Sequence, residues 1–266
     1  MARPNVLVLK AAGINCDRET ASAFALVGAT PETVHINELV RRQKKLADYQ
    51  ILAVSGGFSY GDDIASGKIL ANELKFKLAD ELKAFVASGK LIIGICNGFQ
   101  VLVRSGLLPG SDHLDQEVTL AHNDSGVFQD RWVYLKKSQR HKGAKAQEEL
   151  CVWTRGLPEV IYLPIAHGEG KFIPKSEEVL DRLKERGQVV FQYCDARGHL
   201  GGFPVNPNGS VDSIAGICDP TGHVLGLMPH PERHVTGLQH PRWTREGVKK
   251  QGDGLLIFQN AVNYFK

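Results

Sequence analysis

No C-x-x-C pair occurs among the five cysteines of this 266-residue chain, which fall at positions 16, 96, 151, 194 and 218. An odd, scattered set is a poor disulfide framework and a poor zinc framework. No metal site is therefore expected, and a reduced, cytoplasmic setting fits the sequence best. No apolar run approaches the length needed to span a bilayer. The first, Val6-Leu7-Val8-Leu9, is too short for a signal-peptide core and has no small-residue cleavage site behind it. A strong charge excess is also missing. The formal net charge of +3 points to neither a nucleic acid nor a membrane partner.

Two phosphate-binding signatures are absent as well. Gly56-Gly57-Phe-Ser-Tyr-Gly61 is not G-x-G-x-x-G, so no dinucleotide fingerprint is present. The stretch from Gly61 to Gly67-Lys68 has one residue too many for a P-loop, and Ile69 stands where a magnesium-binding hydroxyl belongs. Internal repeats, low-complexity tracts and an obvious dividing linker are not found either, so residues 1–266 are expected to form one domain.

What is there is an ordinary globular balance, 42% hydrophobic and 23% charged, long enough to bury a core without staples. Short apolar runs alternate with helical spacing. Val6–Leu9, Val34–Ile36, Ile51–Val54 and Leu91–Ile95 read as buried strands. Helices are expected over Asp17–Val27, over Ile69–Val86 with apolar residues at Leu70, Leu74, Leu78, Leu82 and Phe85, and over Phe99–Leu107. This rhythm predicts an α/β fold with a mostly parallel sheet and helices on both faces. The second half reads as strands at Val118–His122, Trp132–Leu135, Val189–Tyr193, Ile214–Cys218 and Val224–Met228, an added antiparallel portion, with a last helix over Leu255–Tyr264. Ser138–Glu149 reads as an exposed loop or a short surface helix. Ligand sites in parallel sheets lie beyond the carboxyl ends of the strands. Gly56-Gly57 and Cys96, each just past a buried run, should share that edge.

Gly94-Ile-Cys96-Asn97-Gly98 fits G-x-C-x-G between a strand and a helix, a nucleophile elbow with sulfur in place of oxygen. A sharp turn exposes the nucleophile, glycines on either side remove clashing Cβ atoms, and the helix N-terminus favours a thiolate. The Asn97 N–H is then placed to stabilise an oxyanion, and the Gly56-Gly57 pair lets a second backbone N–H approach a reacting carbonyl. The blander alternative is a buried structural thiol. Cys16, Cys151, Cys194 and Cys218 lack the elbow context and are assigned no chemistry. Near the C-terminus, Met228-Pro-His230-Pro-Glu232-Arg233 places a histidine before a proline, which favours extended backbone. Residues i and i+2 then point the same way, so Glu232 can orient His230. Alone the segment could be a surface proline turn. With the elbow it completes a cysteine–histidine–acid set.

The elbow Gly94–Gln100 and the Met228–Arg233 segment together resemble a class I, triad-type glutamine amidotransferase. Gly13-Ile-Asn-Cys-Asp17, Gly56–Asp62, Gly106–Gly110, Pro164–Gly170 and Asn206–Ser210 narrow the resemblance, along nearly the whole chain, to the glutaminase subunit of phosphoribosylformylglycinamidine synthase. The resemblance implies a flavodoxin-like fold and hydrolysis of glutamine by Cys96 as nucleophile, His230 as base and Glu232 as its orienter. It implies an oxyanion hole from the N–H groups of Gly57 and Asn97, and a glutamine pocket lined by Gln100, His167 and Gly168. It further implies no cofactor in this chain. A large synthetase subunit, with a small accessory subunit, would use ATP and magnesium to convert formylglycinamide ribonucleotide to its amidine in purine biosynthesis. Lys10-Ala-Ala-Gly13 departs from the family's common Phe-Pro-Gly. Ser125–Val133 and the long loop Thr236–Asp253, with His240-Pro-Arg-Trp-Thr, resemble the longer single-chain version of the enzyme, and that loop is expected to contact the synthetase. The competing readings are the glutaminase of another amidotransferase complex, a stand-alone cysteine hydrolase or redox protein on the same fold, and a non-catalytic binding module.

Overall fold

The computed structural model describes residues 3–110, 114–138 and 150–266. Eleven strands are found there: β1 (Asn5–Lys10), β2 (Thr30–His35), β3 (Ile51–Val54), β4 (Leu91–Ile95), β5 (Val118–His122), β6 (Gln129–Lys137), β7 (Val160–His167), β8 (Glu169–Pro174), β9 (Val189–Cys194), β10 (Ile214–Cys218) and β11 (Val224–Leu227). The helices are α1 (Asp17–Leu26), α2 (Ile36–Val40), α3 (Lys68–Lys77), α4 (Ala79–Ala87), α5 (Asn97–Ser105), α6 (Glu177–Glu185), α7 (Trp243–Glu246) and α8 (Leu255–Asn263).

Nine strands form one sheet in the order β2-β1-β3-β4-β11-β10-β9-β6-β7. The first five run parallel, and antiparallel pairing begins at β10. The chain steps from β1 outward to β2, then returns past β1 to β3 and continues to β4. Right-handed crossovers in opposite directions put α1 on one face and α3, α4 and α5 on the other. The reversal between β1 and β3 leaves a crevice at their carboxyl ends, where ligands of such sheets bind. There the loops leaving the two strands touch through a bridge between Ile14 and Gly57.

Burial follows the expected runs. Every residue of β3 and β4 is buried, as two-sided coverage of a central strand demands. Phe24 of α1 meets Phe258 of α8 edge to face, with ring centroids 4.9 Å apart.

Several expectations need correction. The apolar pattern over Ile69–Val86 is carried by two helices, broken at Leu78, whose backbone is extended in φ. Leu78 ends one helix and begins the next: its N–H donates to the Leu74 carbonyl, and its own carbonyl accepts from Leu82. Its buried side chain keeps the stripe continuous across the break, so periodicity alone does not reveal it. The second strand ends at His35, because Ile36 opens α2, where the His35 ring and Glu38 form a reciprocal cap. Val224–Leu227 belongs to the parallel half, beside β4. β7 and β8 add to the strands the sequence predicts, since Pro164 argues against a central strand. β7 is the outermost strand, where proline is tolerated. Helix α6 is a further addition. Most of the Ser138–Glu149 stretch lies outside the described residues.

Candidate active site

The elbow forms as its sequence predicts, and its strain is explicit. Cys96 adopts φ 52° and ψ −107° between β4 and α5, an unusual conformation for a residue with a side chain. Its N–H is anchored on the Leu227 carbonyl at 2.8 Å, which ties the turn to the neighbouring strand β11. A Cβ on Gly98 would lie 1.8 Å from the Val54 carbonyl oxygen, so only glycine lets α5 seat against the end of β3. The cysteine is 5% exposed, with its sulfur 3.6 Å from the Ala166 carbonyl.

His230 arrives from the segment after β11. Its N–H donates to the Pro164 carbonyl of β7 at 2.8 Å. The ring Nδ1 lies 2.6 Å from Glu232 Oε1, and both side chains are buried. Among the described residues, His230 Nε2 and Glu232 Oε2 have no hydrogen-bond partner. Burial opposes a charge on the imidazole, but the Glu232 carboxylate, then Cys96, and contacts with the Cys16 and Cys96 thiols outweigh it. The pKa of His230 is held well above its ordinary value. Gly56 fits between these groups. A Cβ there would come within 2.9 Å of His230 Cε1, 3.1 Å of Cys16 Sγ and 3.5 Å of Cys96 Cβ. Cys96, His230 and Glu232, the expected nucleophile, base and acid, are therefore brought near one another at the carboxyl edge of the sheet.

The expected oxyanion donors are backbone groups beside that space. Neither the Gly57 nor the Asn97 N–H has an acceptor among the described residues. Asn97 sits at the first position of α5, where amide protons lack intrahelical partners. Its side chain is fully committed: Oδ1 accepts from Ser59 N, while Nδ2 donates to Asp62 and Gln100. The Asp62 carboxylate also accepts from Ser66 Oγ and the Gly67 N–H, so an acid already occupies the loop that resembled a phosphate cradle.

The expected glutamine-pocket residues are also held in place. The Gln100 amide is tied at both ends, accepting from Asn97 and donating to the Glu169 carbonyl at 2.6 Å. His167 is buried, with Nδ1 3.1 Å from Asn123 Oδ1 and Nε2 unpartnered among the described residues. Burial, aided by the nearby charge of His230, lowers its pKa to about 3, so it is neutral at ordinary pH. Gly168 follows it with its carbonyl on the Asn123 N–H.

One residue set aside in the sequence belongs here. Cys16 caps α1, and its ligand atom lies within 4.8 Å of those of Glu19, His230 and Glu232. Arg233 Nη2 donates to Cys16 Sγ at 3.1 Å, and Arg233 Nε to Glu19 at 2.9 Å. Burial pushes the Cys16 thiol up. The available signal was the Gly13–Asp17 motif, which lies at the end of the first strand and hence at the same sheet edge. The five cysteines are all unpaired.

Behind His230, Trp132 packs 5.0 Å from the His234 ring and 6.0 Å from the His240 ring. Arg242 stands over the Tyr162 ring, and Asp253 accepts from the Tyr162 N–H. The two segments that resembled the longer enzyme, Ser125–Val133 and the Thr236–Asp253 loop, thus pack on each other. Trp243, in the same loop, stays 39% exposed. No helix among the described residues is long and apolar enough to cross a membrane.

Comparison with known proteins places the chain among glutamine amidotransferase domains. Residues 3–265 match the model of the CobB/CobQ-like glutamine amidotransferase domain. The chain is 48% identical over 265 residues to the phosphoribosylformylglycinamidine synthase subunit PurQ of Dehalococcoides mccartyi, covering 99% of this chain and 98% of the relative. It is 45% identical to the PurQ subunit of Treponema denticola, covering 98% and 99%. Among solved structures, it superposes on a chain in the structure of PurLQS from Thermotoga maritima with a TM-score of 0.74, at 32% identity and full coverage of both chains. A GMP synthase protein from Thermoplasma acidophilum, at 14% identity and a TM-score of 0.56, shares the fold, with 99% and 94% of the two chains covered.

Proposed function

Since the chain belongs to the glutamine amidotransferase family of phosphoribosylformylglycinamidine synthase subunits, we propose how its site produces ammonia and where that ammonia goes. The chain is the glutaminase subunit of the synthase. It hydrolyses glutamine to glutamate and ammonia, and the ammonia serves a large synthetase subunit that works with a small accessory subunit. That partner turns formylglycinamide ribonucleotide into its amidine for purine biosynthesis. ATP and magnesium act in the partner, and this chain needs no cofactor of its own.

The observation that carries the mechanism is the 2.6 Å His230–Glu232 contact beside a strained Cys96. The Cys96 thiolate attacks the side-chain amide carbon of glutamine. The resulting oxyanion is met by the N–H groups of Gly57 and Asn97, donors with no protein acceptor among the described residues. His230, charged beside Glu232, protonates the departing nitrogen, and ammonia leaves a thioester on Cys96. The now neutral imidazole takes a proton from water, which attacks the thioester and releases glutamate. Glu232 holds the ring by Nδ1 and stabilises its charged form throughout. Gln100, His167 and Gly168 shape the pocket. The buried, neutral His167 offers Nε2 as an acceptor for the substrate.

Ammonia in bulk water near pH 7 is protonated and lost as a nucleophile, so transfer inside a complex is required. Phe58 and Phe128 lie 6.5 Å apart and about half exposed beside Gly57 and Gly168. With the exposed Trp243, they are apolar surface that this chain offers to a synthetase.

The test is amidine formation by the reconstituted complex, with glutamine and then with ammonia as nitrogen donor. Cys96→Ala should lose the glutamine reaction by roughly 10⁴-fold or more and keep the ammonia reaction. Retention of glutamine-driven synthesis would exclude Cys96 as nucleophile. Loss of both reactions would show that the variant no longer supports the complex. Removal of the Thr236–Asp253 loop should weaken assembly, and unchanged complex formation would remove that loop from the interface.

A further inference from the structure

A cavity lies at the opposite edge of the sheet from Cys96. Its volume is about 510 Å³, within the range of sites that enclose small organic ligands. It sits where β3 and β4 begin. The single turn Leu46–Asp48 that leads into β3 forms one wall, and α4 with Ser88 and Lys90, just before β4, forms the other. Strands of this length rise about 15 Å, so the cavity is separate from the reacting groups.

Its floor is apolar: Leu39, Leu46, Leu78 and Phe85 are all buried and all face it. Its rim is basic, with Arg42, Lys44, Lys45 and Lys90 against one acid, Glu81. Two of these cations are already engaged. Lys44 pairs with Glu32, and Lys90 donates to the Ala47 carbonyl with its ammonium 5.1 Å from the Phe85 ring centroid. Arg42 and Lys45 are exposed and have no ion-pair partner among the described residues. Arg42 is also held at φ 58°, a left-handed conformation that a residue with a long side chain adopts only under local constraint. Its N–H is fixed by the Leu39 carbonyl. Arg42 and Lys45 are thus open to an anion at the rim.

We propose that this cavity binds an amphipathic organic anion, whose apolar body lies on Phe85 and the leucines and whose charged group meets Arg42 and Lys45. Neither a metal ion nor a neutral apolar compound satisfies both halves of the site. Two sources share the chemistry: a nucleoside monophosphate, with a flat base and a phosphate, and a fatty carboxylate.

The test is a fluorescence titration of the full chain with 1-anilinonaphthalene-8-sulfonate, an aromatic anion of the stated kind, at physiological salt. Wild type should show a saturable site of one probe per chain. Ala84→Trp places an indole in the cavity and should abolish that site while leaving glutamine hydrolysis in the complex unchanged. Reversing the rim charges with Arg42→Glu and Lys45→Glu should weaken binding by at least about tenfold. Displacement of the probe by adenosine monophosphate identifies a nucleotide source, and displacement by laurate a fatty acid. The proposal is overturned if neither displaces it, if Ala84→Trp binds the probe like wild type, or if charge reversal has no effect. The exposed phenylalanines near Cys96 are a competing place for the probe, and the cavity-filling variant separates the two.

Discussion

Arg233 joins the two ends of the sequence at the active site, its Nη2 3.1 Å from Cys16 Sγ and its Nε 2.9 Å from Glu19. Residues 217 apart are thereby fixed beside His230. Arg233 and Glu19 are each about one-third exposed, so their ion pair adds under about 1 kcal/mol to stability. Its effect should instead be on position, because Arg233 follows His230 and Glu232 in the same short turn. Arg233→Met should therefore barely move the melting temperature and leave KM for glutamine nearly unchanged. Its kcat should fall roughly ten- to a hundredfold, the scale of a small misplacement of a reacting group. A large melting shift with intact kcat would show a structural role only.

Glu232 offers a test through pH. Its carboxylate is the main influence raising the His230 pKa against the effect of burial. Glu232→Gln removes that charge while keeping the shape, so the imidazole should titrate at lower pH than in wild type. Turnover should drop by roughly 10²- to 10⁴-fold. The limb of the kcat/KM profile assigned to His230 should move toward acid. An unmoved limb at reduced rate would mean that Glu232 only holds the ring.

His167 makes the fold sensitive to acid. Its pKa is lowered to about 3 in the folded chain and is near 6.5 when unfolded. The unfolded chain therefore binds this proton first, and stability is lost as pH falls from about 6.5 toward 3. The slope is roughly 1.4 kcal/mol per pH unit for one proton. Urea unfolding of His167→Asn should show a shallower decline over that window than wild type. Identical slopes would place the acid sensitivity elsewhere.

Gly98→Ala tests the seat of the nucleophile helix. The new Cβ would meet the Val54 carbonyl at 1.8 Å, a backbone atom of a buried strand that cannot yield cheaply. A loss of about 1–3 kcal/mol is expected, as for overpacking, together with a fall in kcat as Cys96 is displaced. Wild-type stability by denaturant titration would show that α5 has room to shift.

Strands β1, β3 and β4 and the elbow turn at Cys96 could be read from the sequence because their signals are local. Short apolar runs mark β3 and β4, and glycines around Cys96 mark the elbow. What was not legible depended on distant neighbours. Pro164 hid β7, because its tolerance depends on that strand being outermost. The break at Leu78 leaves the apolar stripe intact. Cys16 lacked an elbow of its own, and its place beside His230 follows only from the reversal of strand order between β1 and β3. The pairing of Trp132 with His234 and His240 required two segments far apart in sequence to meet.

β7 lies at the rim of the sheet, hydrogen-bonded to one neighbouring strand only, yet its carbonyls reach both His230 and Cys96. The Pro164 oxygen holds the His230 amide, and the Ala166 oxygen sits against the Cys96 sulfur. The other edge of β7 is held as well, with the Tyr162 N–H on Asp253 and the Tyr162 carbonyl 2.7 Å from His234 Nδ1. A shift of β7 would therefore move the Cys96 thiol and the His230 backbone together, so one strand sets the relative place of both.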